Sequence, residues 1–215
     1  MSKVTLRQPI LMILYGFPGC GKTYFARNLK ETVKTTYINS DRIRGELFDK
    51  PRFDKSEDSI VNHILEYMSE EFLSAGVSVV LDINNQKSGH RRHLRDIAKK
   101  HKVDTIVVWF QIDTDSAFGR LARRDRRFSD DKYSRSYDRS QFDQVISQMQ
   151  HPTPDENYIV LSGKHSFQMQ RSTLLRKFFD MNLISPEDLA ANVVKPGMVN
   201  LVPNSTEGTK KLHIR

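Results

Sequence analysis

The sequence predicts a three-layer α/β fold, with a mostly parallel five-stranded sheet flanked by helices. Three observations carry that expectation. Short apolar runs such as ILMILY and DTIVVWFQI alternate along the chain with longer stretches of helical periodicity. The first run stops at GFPGCGKT, a glycine-rich turn that leads straight into a helical pattern. The chain also has 215 residues, 38% apolar and 28% charged, which suits one soluble domain with a sizeable core.

Ile10 to Tyr15 is apolar throughout and halted by Gly16, as in a strand buried on both faces. KTYFARNLKETVK follows with amphipathic helical spacing, Thr36 to Ile38 makes a short second strand, and DRIRGELF opens another helix. From Ser56 to Ser74, apolar residues at Ile60, Ile64, Leu65, Met68 and Phe72 form a helical stripe that Ala75-Gly76 ends. VSVVLDI is the third strand, HRRHLRDIAKKH a basic helix with Leu94, Ile97 and Ala98 facing inward, and DTIVVWFQI the fourth strand. SAFGRLARRDRR continues as a helix into FSDDKYSRSYDRS, whose polar composition is that of a mobile segment. SQFDQVISQM, NYIVLSG and RSTLLRKFF supply a helix, a fifth strand and a last amphipathic helix. The expected organisation is one domain over residues 1–192, with a lid at about 114–140, and an irregular tail over 193–215.

Composition narrows the function classes. A single cysteine, Cys20, excludes an internal disulfide and a cysteine zinc site. The apolar runs are too short to span a bilayer, and MSKVTLRQ lacks the features of a signal peptide, so a cytoplasmic protein without a membrane partner is expected. The formal net charge is +8. Between Gln86 and Ser140 there are fifteen Lys or Arg residues against eight Asp or Glu, so the excess is concentrated in about a quarter of the chain. Such a block is either a solvated face or a site for a polyanion.

Gly16, Gly21, Lys22 and Thr23 fit the pattern G-x-x-x-x-G-K-[ST]. Glycines let successive backbone N–H groups curl around a phosphate, and the helix that follows aims its positive end at the same anion. Lys22 then reaches the β- and γ-phosphates and the Thr23 hydroxyl is placed for Mg²⁺. The rest of the loop, Pro18, Gly19 and Cys20, together with Tyr24 just beyond it, completes the expected nucleotide contacts. The loop therefore predicts binding of a nucleoside triphosphate with Mg²⁺, in a P-loop NTPase fold. Cys20 fits its free position simply as a small residue.

The motif does not by itself separate a kinase from a GTPase or a motor. No N-K-x-D element is present, which disfavours a GTPase, and a motor would need more chain. A small phosphotransferase needs a base near the acceptor hydroxyl, an acid near the metal and mobile arginines over the transferring group. In NSDRIRGELF, Asp41 and Arg44 are three apart at a helix start and share one face. Asp41 is either a base for an attacking hydroxyl or, with Ser40, a helix N-cap. Arg44 could clamp a phosphate of the acceptor. Asp82 ends the third strand at the edge where open α/β sheets bind ligands; it and the following Asn84 and Asn85 are metal-site candidates or loop anchors. Arg120, Arg124 and Arg127 recur at helical spacing and read as an arginine stripe over the triphosphate. His90 and His93 have no third ligand near them in sequence, so they read as anion or solvent contacts.

Together GFPGCGKT, NSDRIRGELF, VVLDINNQKSGHRRHLRDIAKKH and RLARR resemble the P-loop kinases that include phage polynucleotide 5′-hydroxyl kinase and the zeta-toxin-like kinases, small kinases of the AAA ATPase type. The likeness runs over about residues 10–162. It implies Lys22 and Thr23 as triphosphate and metal contacts, Asp41 as general base, Arg44 as the acceptor-phosphate contact and Asp82 as the acid after the third strand. It also implies Arg124 as the lid arginine, preceded by Arg120, and an adenine pocket near Ser162–Phe167. The expected reaction moves the γ-phosphoryl group of ATP to a hydroxyl, with a nucleic acid 5′-OH favoured as acceptor. A sugar, nucleoside or antibiotic kinase, or a non-catalytic nucleotide- or RNA-binding module, remains an alternative.

Overall fold

Ile10–Tyr15 (β1), Thr36–Asn39 (β2), Val79–Asp82 (β3), Asp104–Gln111 (β4) and Tyr158–Ser162 (β5) form one sheet in the order β2-β3-β1-β4-β5, with every pairing parallel. The computed structural model describes residues 3–84, 87–124 and 132–193. Helices α1 (Lys22–Thr32), α2 (Ser40–Leu47), α3 (Lys55–Ser74), α4 (Ser88–Lys100), α5 (Thr114–Ala122), α6 (Arg139–Ser147), α7 (Phe167–Asp180) and α8 (Pro186–Asn192) complete the order. The sheet is the expected five-stranded parallel one, flanked by helices. Residues 194–215 of the anticipated tail lie outside the described residues.

Strand alternation divides the core in two. Ile10, Met12 and Leu14 of β1 pack with Val108, Phe110, Leu161 and the inner faces of α1 and α7. Leu11 and Ile13 turn the other way, onto Leu65 of α3 and Leu94, Ile97 and Ala98 of α4. Each such side chain contributes about 1.5–3 kcal/mol by leaving water. Because both faces are covered, all six residues of β1 are buried, and this is why it reads as an unbroken apolar run.

Two departures from expectation have local causes. α2 is capped by Asn39, whose side chain accepts from the Arg42 amide, so Asp41 is not the cap and its carboxylate is available elsewhere. α8 was missed although Ser185 caps it, Pro186 opens it and Glu187 and Asp188 fill its first turn.

The basic helix α4 buries one of its charges. Arg91 is fully buried, donating to Glu156 at 2.7 and 2.8 Å and to the carbonyl of Gln150 at 2.8 Å. Its guanidinium lies 5.0 Å from the centre of the Tyr15 ring, and the Tyr15 hydroxyl shares a hydrogen bond with His151. One arginine thus fastens the 150–156 segment to α4 and to the end of β1. Part of the basic excess on this stretch is therefore internal. Arg91→Met takes both guanidinium hydrogen bonds from the buried Glu156, leaving it Arg95 at 3.7 Å and the Thr153 amide, and should cost about 3 kcal/mol in chemical denaturation. Adding Glu156→Gln should return much of it; a single-variant loss below about 1 kcal/mol would mean that the pair holds nothing.

Candidate active site

The loop from Gly16 to Thr23 joins β1 to α1 at the C-terminal edge of the sheet. Gly19 has φ 82°, and a Cβ there would sit 2.3 Å from the Ala117 carbonyl oxygen, so the loop passes against α5 too closely for any side chain. The Lys22 ammonium bends back over this turn, donating to the carbonyls of Gly16 at 2.7 Å and Phe17 at 3.0 Å. The Thr23 hydroxyl donates to Asp82 Oδ2 at 2.5 Å. That same oxygen accepts from the Tyr37 hydroxyl at 3.1 Å and the Asn39 amide at 2.9 Å. Burial, with Asp82 second, raises the Tyr37 hydroxyl above its ordinary pKa and keeps it a donor.

Pro18, Gly19, Gly21, Lys22 and Thr23 form one wall of a cleft of about 450 Å³. Asp41, Asp82 and Asn84 lie on it as well. Asn84 donates to Asp41 Oδ1. Burial pushes the Asp41 carboxyl up to about 6, the nearby Asp82 adding to the shift while Asn84, Arg124 and Arg44 oppose it. The walls also carry Lys22, Arg27 and Lys30 from α1, Arg42 from α2, and Arg124, Lys132 and Arg135 from the chain after α5. Among the described residues seven cations face two carboxylates on this cleft, which suits a multiply charged anion.

Not every expected residue reaches it. Gly16 contributes its carbonyl to Lys22 rather than a wall, and Cys20 is buried behind the loop, its thiol pushed up mainly by burial. Tyr24 is 61% exposed and is not on the cleft wall. Arg44 is 4% exposed; its guanidinium donates to Glu57 at 2.9 Å and to Asp58, and it does not line the cleft. The arginine stripe is corrected: α5 ends at Ala122 with Arg123 as its C-cap, so Arg120 and Arg124 do not share a helical face. Arg120 donates to the Gly163 carbonyl at 3.0 Å, tying α5 to the turn after β5, while Arg124 alone of the two lines the cleft. Arg127 and Asn85 lie outside the described residues. Gly163 abuts the loop itself, since a Cβ there would meet the Cys20 carbonyl at 2.6 Å. His90 and His93 both sit on Glu66, at 3.1 and 3.4 Å.

The sequence reading missed the residues that close the cleft. Lys132, Tyr133, Ser134, Arg135 and Tyr137 line it, although their composition suggested a mobile segment. Tyr133 lies on α2 where Gly45 leaves room, with its hydroxyl donating to Glu46. A Cβ on Gly45 would stand 2.2 Å from the Tyr133 ring. Tyr137 is raised to about 12, first by burial and then by Asp41, so its phenol stays neutral.

A family model described as AAA domain matches residues 11–152. Among solved structures, a sugar kinase from Janibacter sp. HTCC2649 superposes with a TM-score of 0.61 at 16% identity, covering 84% of this chain and 98% of that one. Chaetomium thermophilum Kti12, solved in complex with ADP-AlF3, gives 0.61 at 19% identity over 81% of this chain and 99% of its own. The Mycobacterium tuberculosis APS kinase CysC, in complex with AMPPNP and APS, gives 0.55 at 13% identity, with 80% and 98% covered. At these identities the likeness carries the fold. No helix among the described residues is long and apolar enough to cross a membrane.

The raised carboxyl has a consequence for stability. Asp41 titrates near 6 in the fold against 3.8 ordinarily, so the folded chain binds the proton more tightly and stability falls as pH rises from about 4 to about 6. Asp41→Asn removes the ionised form. Its melting temperature should exceed that of the parent by a few degrees at pH 7.5, and the two should converge below pH 4. Equal melting temperatures at both pH values would show that the carboxyl is unperturbed.

Proposed function

Since this chain belongs to the AAA domain family and carries the phosphate loop at the sheet's C-terminal edge, we propose that it is an ATP-dependent phosphotransferase acting on a hydroxyl, with a nucleic acid 5′-OH as the favoured acceptor. The observation that carries this reading is Asp41: a desolvated carboxyl on the same cleft as Lys22, Thr23 and Asp82. A desolvated carboxyl beside the phosphate loop suits a base for an alcohol.

The acceptor oxygen forms a bond to the γ-phosphorus as the bridging bond to the β-phosphate breaks, and the hydroxyl proton passes to Asp41. Lys22 and Arg124 hold charge on the phosphate oxygens as it builds up. Lys22 is already held by carbonyls of its own loop, so it is preset over that position and exchanges those acceptors for phosphate oxygens. Thr23 and Asp82 present adjacent hard oxygen donors, which fit Mg²⁺. Bound there, the metal supplies charge neutralisation at the β- and γ-phosphates. Asn84 orients the Asp41 carboxyl, and Tyr133 and Tyr137 narrow the space open to water.

A nucleic acid acceptor is supported by the row of cations along the walls. A small alcohol is the second reading, favoured by the closure of the cleft by Tyr133 and Tyr137. Transfer of labelled γ-phosphate from Mg²⁺-ATP to 5′-OH DNA and RNA, beside a panel of sugars and nucleosides, separates the two. Asp41→Asn should reduce transfer by roughly 10²–10⁴-fold while ATP affinity holds, and parent kcat/KM should climb with pH to a plateau above about 6. With an oligonucleotide acceptor, log affinity should fall with log salt by roughly 0.7–0.9 per contacted phosphate, and a flat response would sink the nucleic acid reading.

A further inference from the structure

The turn between α2 and α3 is built around one aromatic ring. Phe53 has φ 57°, a backbone region that bulky residues rarely occupy. It is held there by Glu57, a buried carboxylate that accepts from the Arg52 and Phe53 amides, both at 2.9 Å, and from Arg44. Those bonds outweigh the effect of burial and hold the Glu57 carboxyl down at about 2. The ring so fixed receives two guanidinium groups: Arg44 and Arg135 each lie 4.9 Å from its centre.

The two arginines differ in what surrounds them. Arg44 is neutralised by Glu57 and Asp58. Arg135 lies against a second ring, Tyr137, at 5.1 Å, and no carboxylate among the described residues is within ion-pair distance of it. A guanidinium set over two aromatic rings keeps its charge, and its planar fork suits a phosphate. Arg135 lines the cleft, as do Arg42 of α2 and Lys132 over Tyr133. Arg42 follows Asp41 on α2, and Tyr137, the second ring against Arg135, is close enough to Asp41 to feel its charge, so this group lies beside Asp41.

We propose that Arg135, with Arg42 and Lys132, forms an anion subsite for the acceptor, so that the alcohol presented to Asp41 carries a phosphate close to the reacting hydroxyl. Arg135 takes the part that spacing and the family resemblance gave to Arg44, and Arg44 becomes the post behind the ring. The inference rests on the phosphotransferase reading and narrows its substrate class. A phosphodiester and a phosphorylated sugar share this chemistry, and charged and neutral members of each pair distinguish the two sources.

The test uses Arg135→Gln and Arg135→Lys in the full chain with Mg²⁺-ATP. The acceptors are 5′-OH (dT)₆ against its neutral methylphosphonate analogue, and ribose 5-phosphate against ribose. In whichever pair is phosphorylated, Arg135→Gln should raise the KM of the charged member about tenfold or more, leave the neutral member's KM in place, and not alter the KM for ATP. With (dT)₆ it should also lower the salt slope by roughly one, while Arg135→Lys retains that slope. Equal effects on charged and neutral acceptors, or an effect confined to the KM for ATP, would overturn the subsite. If the parent transfers phosphate to none of the four, the phosphotransferase reading fails. Equilibrium binding of the same probes to protein loaded with a non-hydrolysable ATP analogue then decides the subsite alone. An Arg135-dependent preference for the charged member supports it, and no preference overturns it.

Discussion

One oxygen of Asp82 organises the edge of the sheet that carries the phosphate loop. Placed at the end of β3 and 4% exposed, it takes hydrogen bonds from Thr23 on α1, from Tyr37 on β2 and from Asn39 at the end of β2. Asn39 uses its other side-chain atom to cap α2. The phosphate loop's helix, the second strand and the helix bearing Asp41 are therefore all referenced to a single buried carboxylate. A buried carboxylate is costly unless its lone pairs are occupied, and these three donors occupy them. The same demand that satisfies Asp82 brings the separate parts of the site into one arrangement.

Asp41 follows from that arrangement. Its neighbour across the cleft is the Asp82 carboxylate, and two like charges under shared burial make the second one hard to ionise. Burial raises Asp41 first, and the Asp82 carboxylate held nearby adds to the shift. Further out, cations on α1, on α2 and after α5 balance the field. The site therefore has an acidic floor and basic walls, which suits a triphosphate whose reacting end must come close to a base.

How much of this the sequence disclosed depended on the range of the contacts involved. The phosphate loop, Asp41 and Asp82 were legible because a glycine pattern, a helix start and a strand end are all local features. The parallel sheet followed from the alternation of apolar runs with helical ones. The closing wall at residues 132–137 was not legible. Its order comes from Gly45 and Phe53, some eighty residues earlier, and neither carries a local sign of that role. Arg44 was placed on the right helix, but its partner Glu57 lies on the next one. The arginine stripe failed for a simpler reason: helical spacing was extended past Ala122, where the helix stops.

Arg91 and Glu156 are separated by 65 residues, and each is buried at its own place in the chain. In a partly assembled chain, either one entering the apolar layer alone would meet a charge it could not cancel. The pair can therefore close only when α4 and the segment before β5 arrive on the sheet together. Its contribution lies less in added stability than in the order of assembly. It penalises half-docked forms in which the segment before β5 has settled without α4. The strand following Glu156 completes the sheet, and its final turn meets the phosphate loop at Gly163. A charge pair remote from the chemistry thus makes the finished loop depend on nearly the whole described fold being in place.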